Sequence, residues 1–223
     1  MATKIVNNKI PRFLKLLYIV TSILVAYALA IENINLEFAI KLVALFSLSF
    51  LYLETTLKVN HWYVMILLFS IISDSLFIFD AFYYPALGFL ILNRFLYIVI
   101  IRRTIFPYPP KVLLLYSIPF LLTFLMIYFL IYEYLLDIQL SAFILGVVSV
   151  FLVLFTYLNF LYKNNKRSKY FFLGTTLMPF ADVLTAIANY IDSHLFYVII
   201  YHFMYYIARY YIYKAMIMNK NKY

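Results

Sequence analysis

Apolar residues run along this chain in eight long blocks, at 13–31, 38–53, 62–79, 84–101, 112–136, 140–162, 170–191 and 195–218, separated by short polar loops. About 20 consecutive apolar residues carry a helix across roughly 30 Å of hydrocarbon, whereas strands of a membrane barrel are about 10 residues long and alternate in polarity. Most of the blocks are far longer than such strands and continuously apolar. The pattern predicts an all-α polytopic membrane protein of eight transmembrane helices. Inside lipid every backbone donor and acceptor has to be paired within its own segment, which helices achieve and open loops do not. No stretch is left for a soluble domain, so residues 1–223 read as one transmembrane domain.

Composition agrees: 67% of residues are hydrophobic, 12% are charged and the mean hydropathy is +0.95, outside the range of soluble domains. The charges fall in a pattern that sets orientation. Lys4, Lys9, Arg12 and Lys15 flank the start of the first block, Lys58 lies between the second and third, and Arg102, Arg103 and Lys111 lie between the fourth and fifth. Lys163, Lys166, Arg167 and Lys169 separate the sixth and seventh, and Lys214, Lys220 and Lys222 close the chain. The intervening loops carry Glu32, Glu37, Asp80, Glu133, Asp137 and Asp192. The positive-inside rule then places both termini in the cytoplasm. The net charge of +9 is a topology signal matched to an anionic inner leaflet rather than to nucleic acid. A basic head, an apolar run and Ala28-Leu29-Ala30 resemble a cleavable signal peptide, but the run is longer than a usual signal core, and a retained first helix is expected. The absence of cysteine excludes disulfides, thiolate metal sites and cysteine nucleophiles.

The loop at 102–111, with Pro107, Pro109 and Pro110, divides the blocks four and four. Ser73-Asp74-Ser75-Leu76 in the third block has a counterpart in Ala181-Asp182-Val183-Leu184 of the seventh, and Asn93-Arg94-Phe95 of the fourth in Ala208-Arg209-Tyr210 of the eighth. Four spans apart means equal orientation, so these matches predict a parallel repeat about the membrane normal. Chance similarity among apolar helices is the alternative.

Charges inside the blocks carry the chemistry, since each costs about 2.5–3.5 kcal/mol near the bilayer centre unless it finds a partner or a wet cavity. Asp74 and Asp182 each lie 12 residues beyond an aromatic at the inner edge, Trp62 and Tyr170, which puts both about 18 Å above that edge. Arg94 and Arg209 lie lower, within reach of either carboxylate. Thr175, Asp182, Thr185 and Asn189 share a helical stripe, as do His202, Tyr206, Arg209 and Tyr213. Ser70 with Asp74, and Arg94 with Tyr97, stand one turn apart. These phases predict a polar cavity lined by spans three, four, seven and eight, with Pro179 bending span seven and freeing a carbonyl. Lys41, four residues after Glu37, either joins the cavity or snorkels to headgroups. Asp-Arg pairs that only fix helix packing are the competing reading.

Other chemistries fall away. His61, His194 and His202 lie at different depths, so no three-His zinc site is expected. The three glycines, Gly88, Gly146 and Gly174, form neither a nucleophile elbow nor a phosphate loop. A mid-helix lysine in a late span, as a retinal Schiff base needs, is lacking, and no metal or cofactor is expected.

At these polar residues the chain resembles the YhhN family, eight-span proteins whose characterised animal members are lysoplasmalogenases. The resemblance rests on Phe69-Ser70-Ile71-Ile72-Ser73-Asp74-Ser75-Leu76, on Gly174 through Ala181-Asp182, on Tyr205-Tyr206-Ile207-Ala208-Arg209, and on Lys41 in the second span. It covers nearly the whole chain. Arg94 stands where the family usually has His, Arg209 where it has Gln, and Leu42 where a proline follows the lysine. The resemblance implies hydrolysis of the vinyl-ether bond of a lysoplasmalogen or a related single-chain lipid. Asp74 and Asp182 would serve as acid and as base or stabiliser. Lys41, Arg94 and Arg209 would hold the lipid phosphate, and Tyr97, His202 and Tyr206 would complete the binding set. It also implies a bacterial cytoplasmic (inner) membrane. A carrier or lipid-binding protein using the same cavity, and a structural membrane protein, are the readings from other classes.

Overall fold

The computed structural model describes residues 9–102 and 110–218, and the chain there is helices joined by short turns and loops, without a strand. Eight α-helices follow in order: α1 Lys9–Ala30, α2 Ile34–Thr55, α3 His61–Leu76, α4 Tyr83–Arg102, α5 Pro110–Ile131, α6 Gln139–Lys163, α7 Lys166–Tyr190 and α8 Leu195–Ile217. Short 3-10 turns at Asp80–Phe82, Tyr132–Tyr134 and Leu136–Ile138 join α3 to α4 and α5 to α6. Lys4, Arg103, Pro107, Pro109, Lys220 and Lys222, which enter the orientation and loop assignments, lie outside the described residues.

Local sequence sets the helix starts. Asn33, Asn60 and His194 each accept a backbone N–H of the following first turn, satisfying donors that the helix itself leaves open. Asn165 and Ser168 form a reciprocal capping box at the head of α7. Asn164 before it takes the left-handed conformation, with φ 39°. Those two residues turn α6 directly into the antiparallel α7.

Among the described residues six helices are long and apolar enough to cross a membrane: α1, α2, α4, α5 with its following 3-10 turn, α6 and α7. The other two expected spans are helical but differ. α3 has 16 residues, about 24 Å of rise, and ends at Leu76 instead of running to Phe79. α8 has 23 residues but is so rich in tyrosine that its phenol tips offset the apolar rings.

Helices α8, α1, α2, α3, α4, α6 and α7 pack in a closed sequence of neighbours, and α5 lies against α6. The tightest join is α7 to α8. There Gly174 lets the helices meet, since a Cβ would stand 2.6 Å from Ile212 Cγ1 and 2.8 Å from the Ala208 carbonyl. Lipid offers no hydrophobic drive between helices, so polar bonds and small residues take up that role. Thr156 and Thr175 share a 2.9 Å hydroxyl contact, Asn93 donates to Ser70 at 2.7 Å, and Tyr18 donates to the Tyr206 carbonyl at 2.7 Å.

Candidate functional site

Two ion pairs join helices far apart in the chain. Arg94 on α4 places one terminal nitrogen 3.1 and 3.0 Å from the two carboxylate oxygens of Asp182 on α7. Its other terminal nitrogen contacts Met178 Sδ. Arg209 on α8 places its two terminal nitrogens 2.6 and 2.7 Å from the oxygens of Asp74 on α3. The arginines are almost wholly buried, while the carboxylates keep 13% and 19% of their side-chain surface open. That surface faces a cavity.

The cavity has a volume of about 900 Å³, near the top of the range for small-molecule sites, about 300–1,000 Å³. Asp74, Asp182, Arg209, His202, Glu37 and Lys41 stand on its polar side. The last two form an i, i+4 ion pair on α2. Tyr205 ties the two Asp-Arg pairs together: its hydroxyl donates to Asp182 Oδ1, and its ring lies 5.6 Å from the Arg209 guanidinium, within range of a cation–π attraction. His202 Nδ1 lies 2.8 Å from the Val198 carbonyl. A carbonyl has no proton to give, so this nitrogen carries the hydrogen and, in the neutral ring, Nε2 is left as an acceptor.

The sequence-predicted residues divide. Asp74, Asp182, Lys41, His202, Tyr206 and Arg209 all line the cavity. Arg94 does not: at 1% exposure it lies behind Asp182 and reaches the cavity only through that carboxylate. Tyr97 does not either; it is buried edge-on against Phe171 in the main core. Ser70 is engaged with Asn93, Thr175 with Thr156, and Tyr213 with Thr55 at 3.1 Å, leaving Thr185 and Asn189 as the members of their stripe beside Asp182. Pro179 also lines the cavity inside an unbroken α7, where its missing N–H leaves the Thr175 carbonyl without the usual helical partner.

The cavity extends beyond the four helices expected to form it. α2 contributes the Glu37–Lys41 pair, and α5 and α6 contribute a broad apolar wall that includes Phe124, Leu145 and Val153. Among the lining polar residues given no site role from the sequence are Glu37, Tyr201 and Tyr205. The spacing of Glu37 to Lys41 and of Tyr201, Tyr205 and Arg209, each four apart, is the signal that marks them. Among the described residues no three His, Asp or Glu side chains are grouped to hold a metal ion.

No protein-family model matches this chain, and neither a curated protein nor a solved structure matches it at a significant level.

Proposed function

We propose that this chain is a YhhN-like protein crossing a bacterial cytoplasmic membrane eight times, with both termini inside, and that it hydrolyses the vinyl-ether bond of a lysoplasmalogen or related single-chain lipid. The observation that carries this reading is the pair of carboxylates, Asp74 and Asp182, open to one chamber that is polar on one side and apolar on the other. A single-chain lipid has that same division.

The chemistry adds water across a vinyl ether. A proton goes to the vinyl carbon, an oxocarbenium ion forms, water adds to it, and the hemiacetal breaks into a fatty aldehyde and a glycerophospho-alcohol. One of the two aspartates supplies that proton as the acid, and the other stabilises the oxocarbenium ion and accepts a proton from the attacking water. The Tyr205 hydroxyl, bonded to Asp182, orients that carboxylate at the chamber. Lys41 and Arg209 attract the lipid phosphate, each with a charged partner already in place to tune that attraction.

The pairing also supports a parallel four-plus-four repeat. If α3 corresponds to α7 and α4 to α8, the aspartate of each half meets the arginine of the other, as a two-fold axis along the membrane normal requires. That crosswise arrangement favours a second reading, in which the halves rock about the ion pairs and the protein is a carrier. Aldehyde release from a defined 1-alkenyl lysophospholipid tests hydrolysis. Counterflow of the labelled lipid in proteoliposomes without aldehyde supports the carrier, and silence in both assays removes both.

A further inference from the structure

The cavity follows two faces of α7. Asp182, Thr185 and Asn189 line its polar side, while Thr176, Phe180 and Val183 line it from the face toward α5 and α6. Together they sweep roughly 220° of the helix, at 100° per residue. Phe180 is 57% exposed, and Thr123 on α5, which also lines the cavity, is exposed. The cavity lining therefore continues past α7 into an apolar groove bounded by α5 and α7 and floored by α6, open at the exposed Phe180 and Thr123 on the side of the bundle, and it also reaches the outer ends of α4, α5 and α7 at Tyr83, Ile131 and Tyr190. At the floor, Gly146 lies where a Cβ would fall inside the Phe124 ring, so the glycine lets that ring fold down onto α6. Ser149 on the same wall is 2% exposed, and its hydroxyl has no hydrogen-bond partner in the protein.

Resting on the lipid-binding reading above, we infer that the hydrocarbon tail of a single-chain lipid lies in this α5–α7 groove and that the lipid enters sideways from the bilayer through it. The polar end then reaches the carboxylates without crossing the apolar wall. One groove takes one tail, so Phe124, Val150 and Phe180 select single-chain over two-chain lipids.

Tryptophan quenching tests this. In a Trp62→Phe background, which leaves the chain without tryptophan, Thr123→Trp reports on the groove, and Leu115→Trp, exposed elsewhere on α5, reports on bulk lipid. The purified full chain is placed in phosphatidylcholine vesicles and titrated with lysophosphatidylcholine brominated on its chain, then with two-chain phosphatidylcholine brominated at the same position. The expected result is saturable quenching at 123, severalfold stronger for the single-chain probe, with no such preference at 115. Val150→Phe, which fills the groove away from the carboxylates, is expected to abolish the preference at 123. Equal quenching by both probes at 123, or a preference untouched by Val150→Phe, overturns the inference. Quenching needs no turnover, so its loss and a loss of aldehyde release are separate results.

Discussion

Arg209 on α8 grips Asp74 on α3 through both terminal nitrogens, at 2.6 and 2.7 Å, across 135 residues of sequence. The planar fork of arginine matches a carboxylate in this way and a lysine does not. Asp74→Asn alone leaves a buried guanidinium without its counter-ion. It is expected to destabilise the fold by about 3 kcal/mol, the low end for a broken buried pair because the carboxylate faces a cavity. Asp74→Asn with Arg209→Gln is expected to recover most of that loss. Unfolding in detergent, analysed as a double-mutant cycle, measures the coupling; additive effects would mean that the pair does not exist.

Tyr205→Phe keeps the ring beside Arg209 and removes the hydroxyl that donates to Asp182. A hydrogen bond to a charged group contributes about 1.5–3 kcal/mol, and a stability loss in that range is expected in thermal unfolding. Tyr206→Phe is the control, because its phenol makes no such contact with either aspartate. Equal losses in the two variants would remove Tyr205 from its linking position.

The two tightly packed glycines are expected to differ. At Gly174 a methyl group meets the Ala208 backbone carbonyl as well as Ile212, and helices cannot step aside cheaply. Gly174→Ala is expected to cost about 1–3 kcal/mol, the usual penalty of overpacking. At Gly146 the obstacle is the Phe124 ring alone, which can swing away, so Gly146→Ala is expected to cost less. Melting temperatures of the two variants in one detergent check the order.

The depth of the two aspartates is legible in the sequence because helical rise is constant: 12 residues beyond Trp62 and 12 beyond Tyr170 give one level whatever surrounds them. Which arginine meets which aspartate is not legible, since both lie within reach and only the packing of α4 on α6 and of α7 on α8 decides. Tyr97 stands three residues after Arg94, about 60° around the helix. That offset is enough to turn one side chain toward Asp182 and the other toward Phe171. The apolar wall is hidden for a different reason. α5 carries no charged residue beyond Lys111, so no polar stripe marks which of its faces looks inward.

Since the chain has no cysteine, single cysteines report sidedness cleanly. Lys58→Cys and Lys166→Cys are expected to react with an impermeant maleimide only from the cytoplasmic side, and Glu133→Cys only from outside. That pattern requires α3 to cross the membrane despite its 16 residues. Reaction of Lys58→Cys and Lys166→Cys from opposite sides would reduce the number of crossings below eight.

The most direct measurement is aldehyde release from a 1-alkenyl lysophospholipid by the purified wild-type protein, beside Asp74→Asn and Asp182→Asn variants shown to be folded. Wild type is expected to release aldehyde, and each variant to fall by about 100-fold or more, the scale of a lost acid–base group. Absence of wild-type release, or release unchanged in both variants, would contradict a hydrolytic site built on these two carboxylates.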